Sequence, residues 1–93
     1  MTLYVVTCVD KPDSLDLRLA NRAAHLEYAK TWADRMVVGG PLLSDDGEIM
    51  QGSMLILDVE DRAEIDAYLA GDPYARAGLF ASVTVRRYKK MLP

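Results

Sequence analysis

The chain carries one side chain that moves protons readily near neutral pH, the imidazole of its single histidine, His25. A carboxylate within hydrogen-bond reach of an imidazole orients the ring and stabilises its charged form. Asp72, which directly precedes a proline, is the candidate carboxylate, and Ser53 is a candidate hydroxyl. These residue types predict general acid–base chemistry. Each also has an ordinary structural role, as a core-edge histidine, a helix N-cap and a polar strand residue.

Two arginines are predicted to share one helical edge with His25. Arg18 and Arg22 precede it by seven and three residues, and Trp32 follows it by seven. At about 100° per residue, these positions lie along one border of the predicted first helix. Guanidinium groups beside an acid–base residue would form a pocket that recognises anions. The alternative is that the arginines form ion pairs on the surface, which is more common for residues at such a border.

The first third of the chain predicts a strand followed by a long helix. The apolar run Leu3–Val9 is typical of a strand that is covered on both faces or that lies against a partner. Ser14 is a good N-cap residue, and a helix is expected from about Leu15 to Asp34. The side of this helix that should face the core has apolar residues at three-and-four spacing, namely Leu15, Leu19, Ala23, Leu26 and Ala33.

The remaining two thirds predict three strands and a second helix. The strands are expected at Met36–Leu43, Gly52–Val59 and Leu79–Tyr88, and the helix at Asp61–Ala70. Gly39-Gly40-Pro41 should break the first of these strands, and Asp72-Pro73-Tyr74 should begin one more helical turn. The order β-α-β-β-α-β is that of an α+β, ferredoxin-like sandwich, formed by a single domain over residues 1–93.

The composition restricts the classes of function. Of the 93 residues, 51% are apolar and 27% are charged, which indicates a globular chain. A net charge of −3 offers no general attraction to nucleic acid or anionic membranes, so neither is an expected partner. With one cysteine, no zinc spacing and no phosphate or dinucleotide loop, we expect no metal and no cofactor. The start lacks a signal-peptide pattern, and we expect a cytoplasmic protein.

Several short motifs resemble, in order, the YciI-like proteins of the YCII-related domain family. They cover nearly the whole chain and are Leu3-Tyr4-Val5, Asp10-Lys11, Asp13-Ser14-Leu15, Arg18, Arg22, His25-Leu26, Gly39-Gly40-Pro41-Leu42, Gly52-Ser53, Asp72-Pro73-Tyr74, Ala77-Gly78-Leu79-Phe80 and Tyr88-Lys89-Lys90. The resemblance implies a dimeric α/β barrel, in which two ferredoxin-like subunits pair through their sheets. It also implies a His–Asp active site, carried here by His25 and Asp72, with Ser53 nearby. Related members of the superfamily include lactone isomerases and a dehydrochlorinase of chlorinated hydroxyquinols.

These observations favour a cofactor-independent enzyme of the lyase or isomerase type that acts on a small anionic or cyclic oxygenated molecule. In this hypothesis His25 moves a proton, Asp72 fixes its tautomer, and Ser53 adds a hydrogen bond. The expected substrate-binding residues are Arg18, Arg22, Gly40, Pro41 and Tyr74. The alternatives are a non-catalytic small-molecule binding module of the same fold and a structural dimerisation domain. A homodimer is expected in each case, because so small a core needs support.

Overall fold

The computed structural model describes residues 1–93 as a four-stranded antiparallel sheet with three helices. The strands are β1 (Thr2–Asp10), β2 (Met36–Leu43), β3 (Met50–Val59) and β4 (Phe80–Tyr88), and the helices are α1 (Leu15–Lys30), α2 (Arg62–Gly71) and α3 (Pro73–Arg76). The strands lie in the spatial order β2-β3-β1-β4. This arrangement confirms the predicted α+β, ferredoxin-like fold. None of the helices is long and apolar enough to cross a membrane.

The hydrophobic core lies between one face of the sheet and the helices. Alternation along β3 is as predicted, because Leu55, Leu57 and Val59 are buried while the residues between them are partly exposed. Their neighbours on β1 and α2 complete the core, and these are Tyr4, Val6, Cys8, Ile65 and Tyr68. The single chain leaves the opposite face of β1 open, since Val9 on that face is 46% exposed, and the alternative that this face lies against a partner stays a prediction.

Helix α1 buries its polar side rather than its apolar stripe, and the prediction of its core-facing side is wrong. Leu19 and Leu26 of the stripe are 50% and 41% exposed, whereas Arg18 and His25 are 2% and 9% exposed. Burial of such groups is tolerated only when their polar atoms are paired. Both groups are paired here, because each contacts a buried carboxylate contributed by another element.

Both ends of α1 differ in detail from the prediction. The helix ends at Lys30 rather than Asp34, and residues 31–35 form turns. The Thr31 hydroxyl donates to the Tyr28 carbonyl (2.6 Å), and such a local bond competes with helix continuation. Because Trp32 lies beyond the end of α1, it does not share the helical edge of His25 and instead packs against the core. At the other end, Ser14 is the N-cap residue but its side chain makes no capping bond.

Strand β2 is continuous through its Gly-Gly-Pro segment, so the predicted break is absent. Its irregularities in pairing with β3 lie near its two ends, between Met36 and Val38 and between Leu42 and Leu43. A proline is compatible with this position because β2 is an edge strand, whose outer side needs no ladder hydrogen bonds. Strand β3 also begins earlier than predicted, at Met50 rather than Gly52.

Candidate active site

The single histidine and Asp72 meet in the fold although they lie far apart in the chain. His25 Nδ1 is 2.8 Å from Asp72 Oδ1, and the exposed fractions of the two residues are 9% and 2%. The same carboxylate oxygen accepts a hydrogen bond from the Tyr74 backbone N–H (3.2 Å). Asp72 therefore combines both roles considered for it, since it caps α3 and contacts the imidazole.

The backbone at the junction of α2 and α3 explains how Asp72 reaches the histidine. Pro73 disfavours a helical conformation for the preceding residue, and Asp72 is extended, with φ −67° and ψ 121°. Helix α1 is held against this junction by the Tyr28 hydroxyl, which donates to the Tyr68 carbonyl (2.8 Å). The approach needs a residue without a side chain at Gly71, where a Cβ would lie 2.5 Å from the Tyr28 hydroxyl oxygen.

The ring of Tyr74 links the histidine to the first arginine of α1. It stacks on His25 with centroids 4.0 Å apart and planes inclined by 15°. The Arg18 guanidinium carbon lies 4.5 Å from its centroid, within the range of a cation–π contact. Burial raises the pKa of Tyr74, although the positive charges of Arg18 and Arg22 act in the opposite direction. The phenol is therefore a neutral hydrogen-bonding group near pH 7.

Arg18 is engaged by a second buried carboxylate, which belongs to Asp10 at the end of β1. Its Nε and Nη2 atoms donate to the two oxygens of Asp10, at 2.7 and 2.9 Å, and Nη2 also donates to Ser53 Oγ (2.9 Å). Burial alone would lower the pKa of Arg18, but the hydrogen bond and negative charge of Asp10 outweigh burial and raise it. Arg18 thus remains charged within the protein.

A cavity of about 470 Å³ lies beside these groups, between α1 and the β2–β3 side of the sheet. This volume is in the range of sites for small molecules. Arg22 reaches the cavity from α1 and is exposed, with no ion pair to a carboxylate. The lining combines few polar groups with apolar ones, and comprises Arg18, Arg22, His25, Leu26, Ala29, Lys30, Ala33, Met36, Gly39, Gly40, Pro41, Met50, Ser53, Leu55 and Tyr74.

Nearly all of the residues singled out from the sequence surround this cavity. The exceptions are Asp72, which lies behind the imidazole, and Trp32, which belongs to the core. The imidazole Nδ1 is taken by Asp72, whereas Nε2 makes no hydrogen bond to the protein. Sequence reasoning missed the role of Asp10, which was noted only as part of the Asp10-Lys11 motif. The available signal was a carboxylate at the end of an apolar strand, one short turn before the helix that carries two arginines.

The only cysteine is unsuited to act as a nucleophile. Burial, followed by the negative charge of Asp72, raises the pKa of the Cys8 thiol to about 12, so almost no nucleophilic thiolate is present near pH 7. The structure brings together no group of three His, Cys, Asp or Glu side chains that could hold a metal ion.

Sequence comparisons identify relatives that match almost the entire chain. The family model described as the YCII-related domain matches residues 2–89. The chain is 34% identical to Protein YciI of Escherichia coli O6:H1 in an alignment that covers 96% of this chain and 98% of the relative. It is also 34% identical to an uncharacterized protein of Haemophilus influenzae in an alignment that covers 95% of this chain and 97% of the relative.

Among solved structures, strong similarity is found to an enzyme from Burkholderia phenoliruptrix. This protein is 5-chloro-2-hydroxyhydroquinone dehydrochlorinase (TftG) in complex with 2,5-dihydroxybenzoquinone, with a TM-score of 0.87 and 38% identity over 94% of this chain and 93% of that one. An antibiotic biosynthesis monooxygenase, matched over 99% of this chain and 100% of that one, has a TM-score of 0.60 and 15% identity. The second likeness shows a shared fold alone.

Proposed function

The chain belongs to the YCII-related domain family, and we propose that it is a cofactor-independent enzyme of the lyase or isomerase type. Its substrate in this proposal is a small, cyclic, oxygenated molecule that is anionic or becomes anionic during the reaction. The observation that carries the proposal is the position of His25. Its imidazole lies in the cavity wall, and its Nδ1 atom contacts the buried carboxylate of Asp72, which does not line the cavity. An acid–base group fixed in this way beside a small-molecule cavity is suited to proton transfer.

The contact with Asp72 decides which nitrogen of His25 does the chemistry. An ionised carboxylate only accepts hydrogen bonds, so the Nδ1 atom 2.8 Å away carries a hydrogen. In the neutral ring the lone pair is then on Nε2, which makes no hydrogen bond to the protein. Nε2 would remove a proton from the substrate, and the adjacent carboxylate would stabilise the imidazolium formed. Positioned acid–base catalysis contributes about 10²–10⁴-fold, so further stabilisation of the developing anion is required.

Arg22 is the cation best placed to supply that stabilisation. Its guanidinium is exposed at the cavity and has no carboxylate partner, whereas Arg18 is already paired with Asp10. We therefore assign recognition of a substrate carboxylate, phenolate or enolate to Arg22. Gly40 and Pro41 would form the opposite wall, and Tyr74 would contribute its ring edge and hydroxyl.

The comparison with TftG supports the reaction type. Loss of hydrogen chloride from a chlorinated hydroxyquinol requires removal of a proton and departure of chloride, and a base in the cavity could serve the first of these events. TftG is 38% identical to this chain, and its structure contains a dihydroxybenzoquinone. We propose substrates of the same broad class, oxygenated six-membered rings that ionise readily. The proposal does not require a chlorine substituent.

The direct test is a screen of hydroxyquinols and related cyclic enols for conversion, followed by chromatography of the products. His25→Ala should reduce turnover by at least about a hundredfold, because it removes the only imidazole. Asp72→Asn should reduce turnover less, since the amide retains an acceptor for Nδ1–H but not the negative charge. Arg22→Ala should lower kcat as well as raise KM, because the guanidinium would both bind the substrate and stabilise the developing anion. A ligand that binds but is recovered unchanged would favour the non-catalytic binding module, and full activity of His25→Ala would refute the acid–base proposal.

The tautomer of His25 provides a second test that needs no substrate. In ¹⁵N spectra recorded at alkaline pH, the neutral ring should carry its hydrogen on Nδ1 in the wild-type protein. Asp72→Ala should remove this preference, because the acceptor that fixes the tautomer is lost. A wild-type ring that carries its hydrogen on Nε2 would show that Nε2 is not the base.

We also propose that the protein is a homodimer formed through the uncovered face of the sheet. Val38 pairs with Ile56 on this face, and Val38 and Val9 are 48% and 46% exposed. Apolar side chains spread over an open sheet face are typical of an interaction surface. Light scattering coupled to gel filtration should give twice the monomer mass, and Val38→Asp should shift the protein towards monomer. A wild-type monomer at micromolar concentration would contradict this proposal.

A further inference from the structure

A chain of three polar side chains joins the end of β1 to the cavity wall. Asp10 contacts Arg18 through both carboxylate oxygens, and the side chains are 5% and 2% exposed. The Arg18 guanidinium also donates a hydrogen bond to Ser53, which lies on β3 and lines the cavity. Two parallel N–H···O bonds between a guanidinium and a carboxylate fix the plane of the guanidinium. Asp10 therefore determines where the Nη2 atom of Arg18 points.

The direction of the hydrogen bonds in this chain follows from the chemistry of its members. A guanidinium has N–H donors and no acceptor, so Ser53 Oγ must be the acceptor in its 2.9 Å contact with Arg18. The serine hydroxyl hydrogen is then available, and it makes no hydrogen bond to a protein group. A positively charged donor on its oxygen also makes a hydroxyl a better donor itself, because hydrogen bonds in series polarise one another.

The same contacts argue against Ser53 as a nucleophile. A serine nucleophile needs a general base that accepts its hydrogen. Here the imidazole contacts Asp72, and the hydroxyl oxygen is occupied by a cation. A hydroxyl whose lone pair is held by an arginine is suited to stabilise negative charge on another molecule rather than to attack it.

We propose that Asp10 is a positioning residue that acts through Arg18 to fix the Ser53 hydroxyl as a hydrogen-bond donor to an oxygen anion in the cavity. The anion would be a phenolate or enolate oxygen of the bound molecule. This inference deepens the proposed function, because it rests on the same cavity and assigns one further part of its machinery. It adds Asp10 to the site and gives the two arginines different roles. Arg18 would contact Ser53 within the cavity wall, whereas Arg22 would contact the ligand.

The competing explanation is that Asp10 and Arg18 form a purely structural ion pair that supports α1. In that case the loss of Asp10 and the loss of the Ser53 hydroxyl would have independent effects on ligand binding. A double-mutant cycle separates the two explanations, because it measures whether one change alters the effect of the other. Removal of the Asp10 charge also has a simple Coulomb effect on affinity. This effect cancels in the cycle, because it changes the affinity by the same factor with and without the Ser53 hydroxyl.

The experiment is calorimetric titration of the full-length protein with 2,5-dihydroxybenzoquinone, which ionises to an anion delocalised over its oxygens. Ser53→Ala should weaken binding about 10- to 100-fold, the effect of losing a hydrogen bond to a charged group. In the Asp10→Asn background the same serine change should cost at least about threefold less than in the wild type. Ser82→Ala and Asp45→Asn are matched controls, because both residues are exposed and lie outside the cavity.

Three results would overturn the proposal. They are an equal effect of Ser53→Ala in both backgrounds, unchanged affinity in Ser53→Ala, and absence of measurable binding to the wild-type protein. Thermal unfolding of each variant excludes misfolding as the cause, and Ser53→Ala, which removes one oxygen atom, tests the donor even if Asp10→Asn does not fold. The titration needs no turnover. If Asp10 and Ser53 are coupled but no substrate is converted, this inference stands and the acid–base enzyme is rejected. If a substrate is converted with dependence on His25 but the two residues are not coupled, the enzyme stands and this inference is rejected.

Discussion

Replacement of Asp72 by alanine should destabilise the protein by more than the loss of a helix cap. The carboxylate is 2% exposed, contacts His25 Nδ1 at 2.8 Å and accepts the Tyr74 N–H at 3.2 Å. The chain contains a matched control in Asp61, an exposed N-cap aspartate whose side chain accepts only the Glu64 N–H (3.3 Å). Asp61→Ala removes a cap alone, whereas Asp72→Ala removes a cap and the partner of a buried imidazole.

The contacts of Asp72 and Asp61 give the loss of stability expected for each variant. Loss of an N-cap side chain costs about 1 kcal/mol. Loss of a hydrogen bond in which one partner is charged costs about 1.5–3 kcal/mol. We therefore expect Asp72→Ala to lower the free energy of unfolding by about 3 kcal/mol and Asp61→Ala by about 1 kcal/mol. Domains of this kind have about 5–15 kcal/mol of stability, so both variants should remain folded.

Urea denaturation near neutral pH, followed by fluorescence of the single tryptophan, measures both losses. Trp32 packs against the core, so its emission should report on global unfolding. His25→Ala should also be costly, because it leaves a buried carboxylate without its partner. The double variant His25→Ala/Asp72→Ala should then lose little more than Asp72→Ala does. Equal losses in Asp72→Ala and Asp61→Ala, or strictly additive losses in the double variant, would refute the reasoning.

Three further predictions concern the scaffold. Cys8, with a pKa of about 12 against an ordinary value of 9.0, should form about a thousandfold less thiolate than a free cysteine, so iodoacetamide should label it only after denaturation. Gly52→Ala should destabilise the protein by about 2 kcal/mol in urea denaturation, because its Cβ would overlap the Cys8 carbonyl oxygen, whereas Gly40→Ala meets no atom and should change stability by less than about 0.5 kcal/mol. Leu19→Gln should also cost less than about 0.5 kcal/mol, since Leu19 is 50% exposed, and a loss of several kcal/mol would restore the original interpretation of α1.

The sheet could be predicted from the sequence because strand periodicity and burial agree there. Leu55, Leu57 and Val59 alternate with partly exposed residues, and every strand was placed to within a few positions. The continuous course of β2 could not be predicted, because a Gly-Gly-Pro segment breaks an inner strand but not an edge strand. Edge position is a property of the assembled sheet, which the local sequence does not contain.

Helix α1 shows where periodicity fails and why. A stripe of leucine and alanine normally marks the core side of a helix, since polar groups lose hydration when buried. The rule fails here because Asp10 and Asp72 compensate Arg18 and His25 inside the protein. One of these carboxylates is eight positions from its partner and the other 47. No helical spacing relates residues at such separations. Residue type and the motif resemblance therefore suggested the second pair without bringing its members together, and the first pair was missed.

The inward polar side of α1 has a consequence for every experiment on the candidate site. Arg18 and His25 join α1 to β1 and to the start of α3, so they contribute both to the packing of the helix and to the cavity wall. Loss of activity in a variant of either residue can therefore reflect partial unfolding. Arg22 differs from both, because it is exposed and has no carboxylate partner. Its replacement should alter ligand recognition without altering stability, which makes it the position at which recognition can be measured separately from folding.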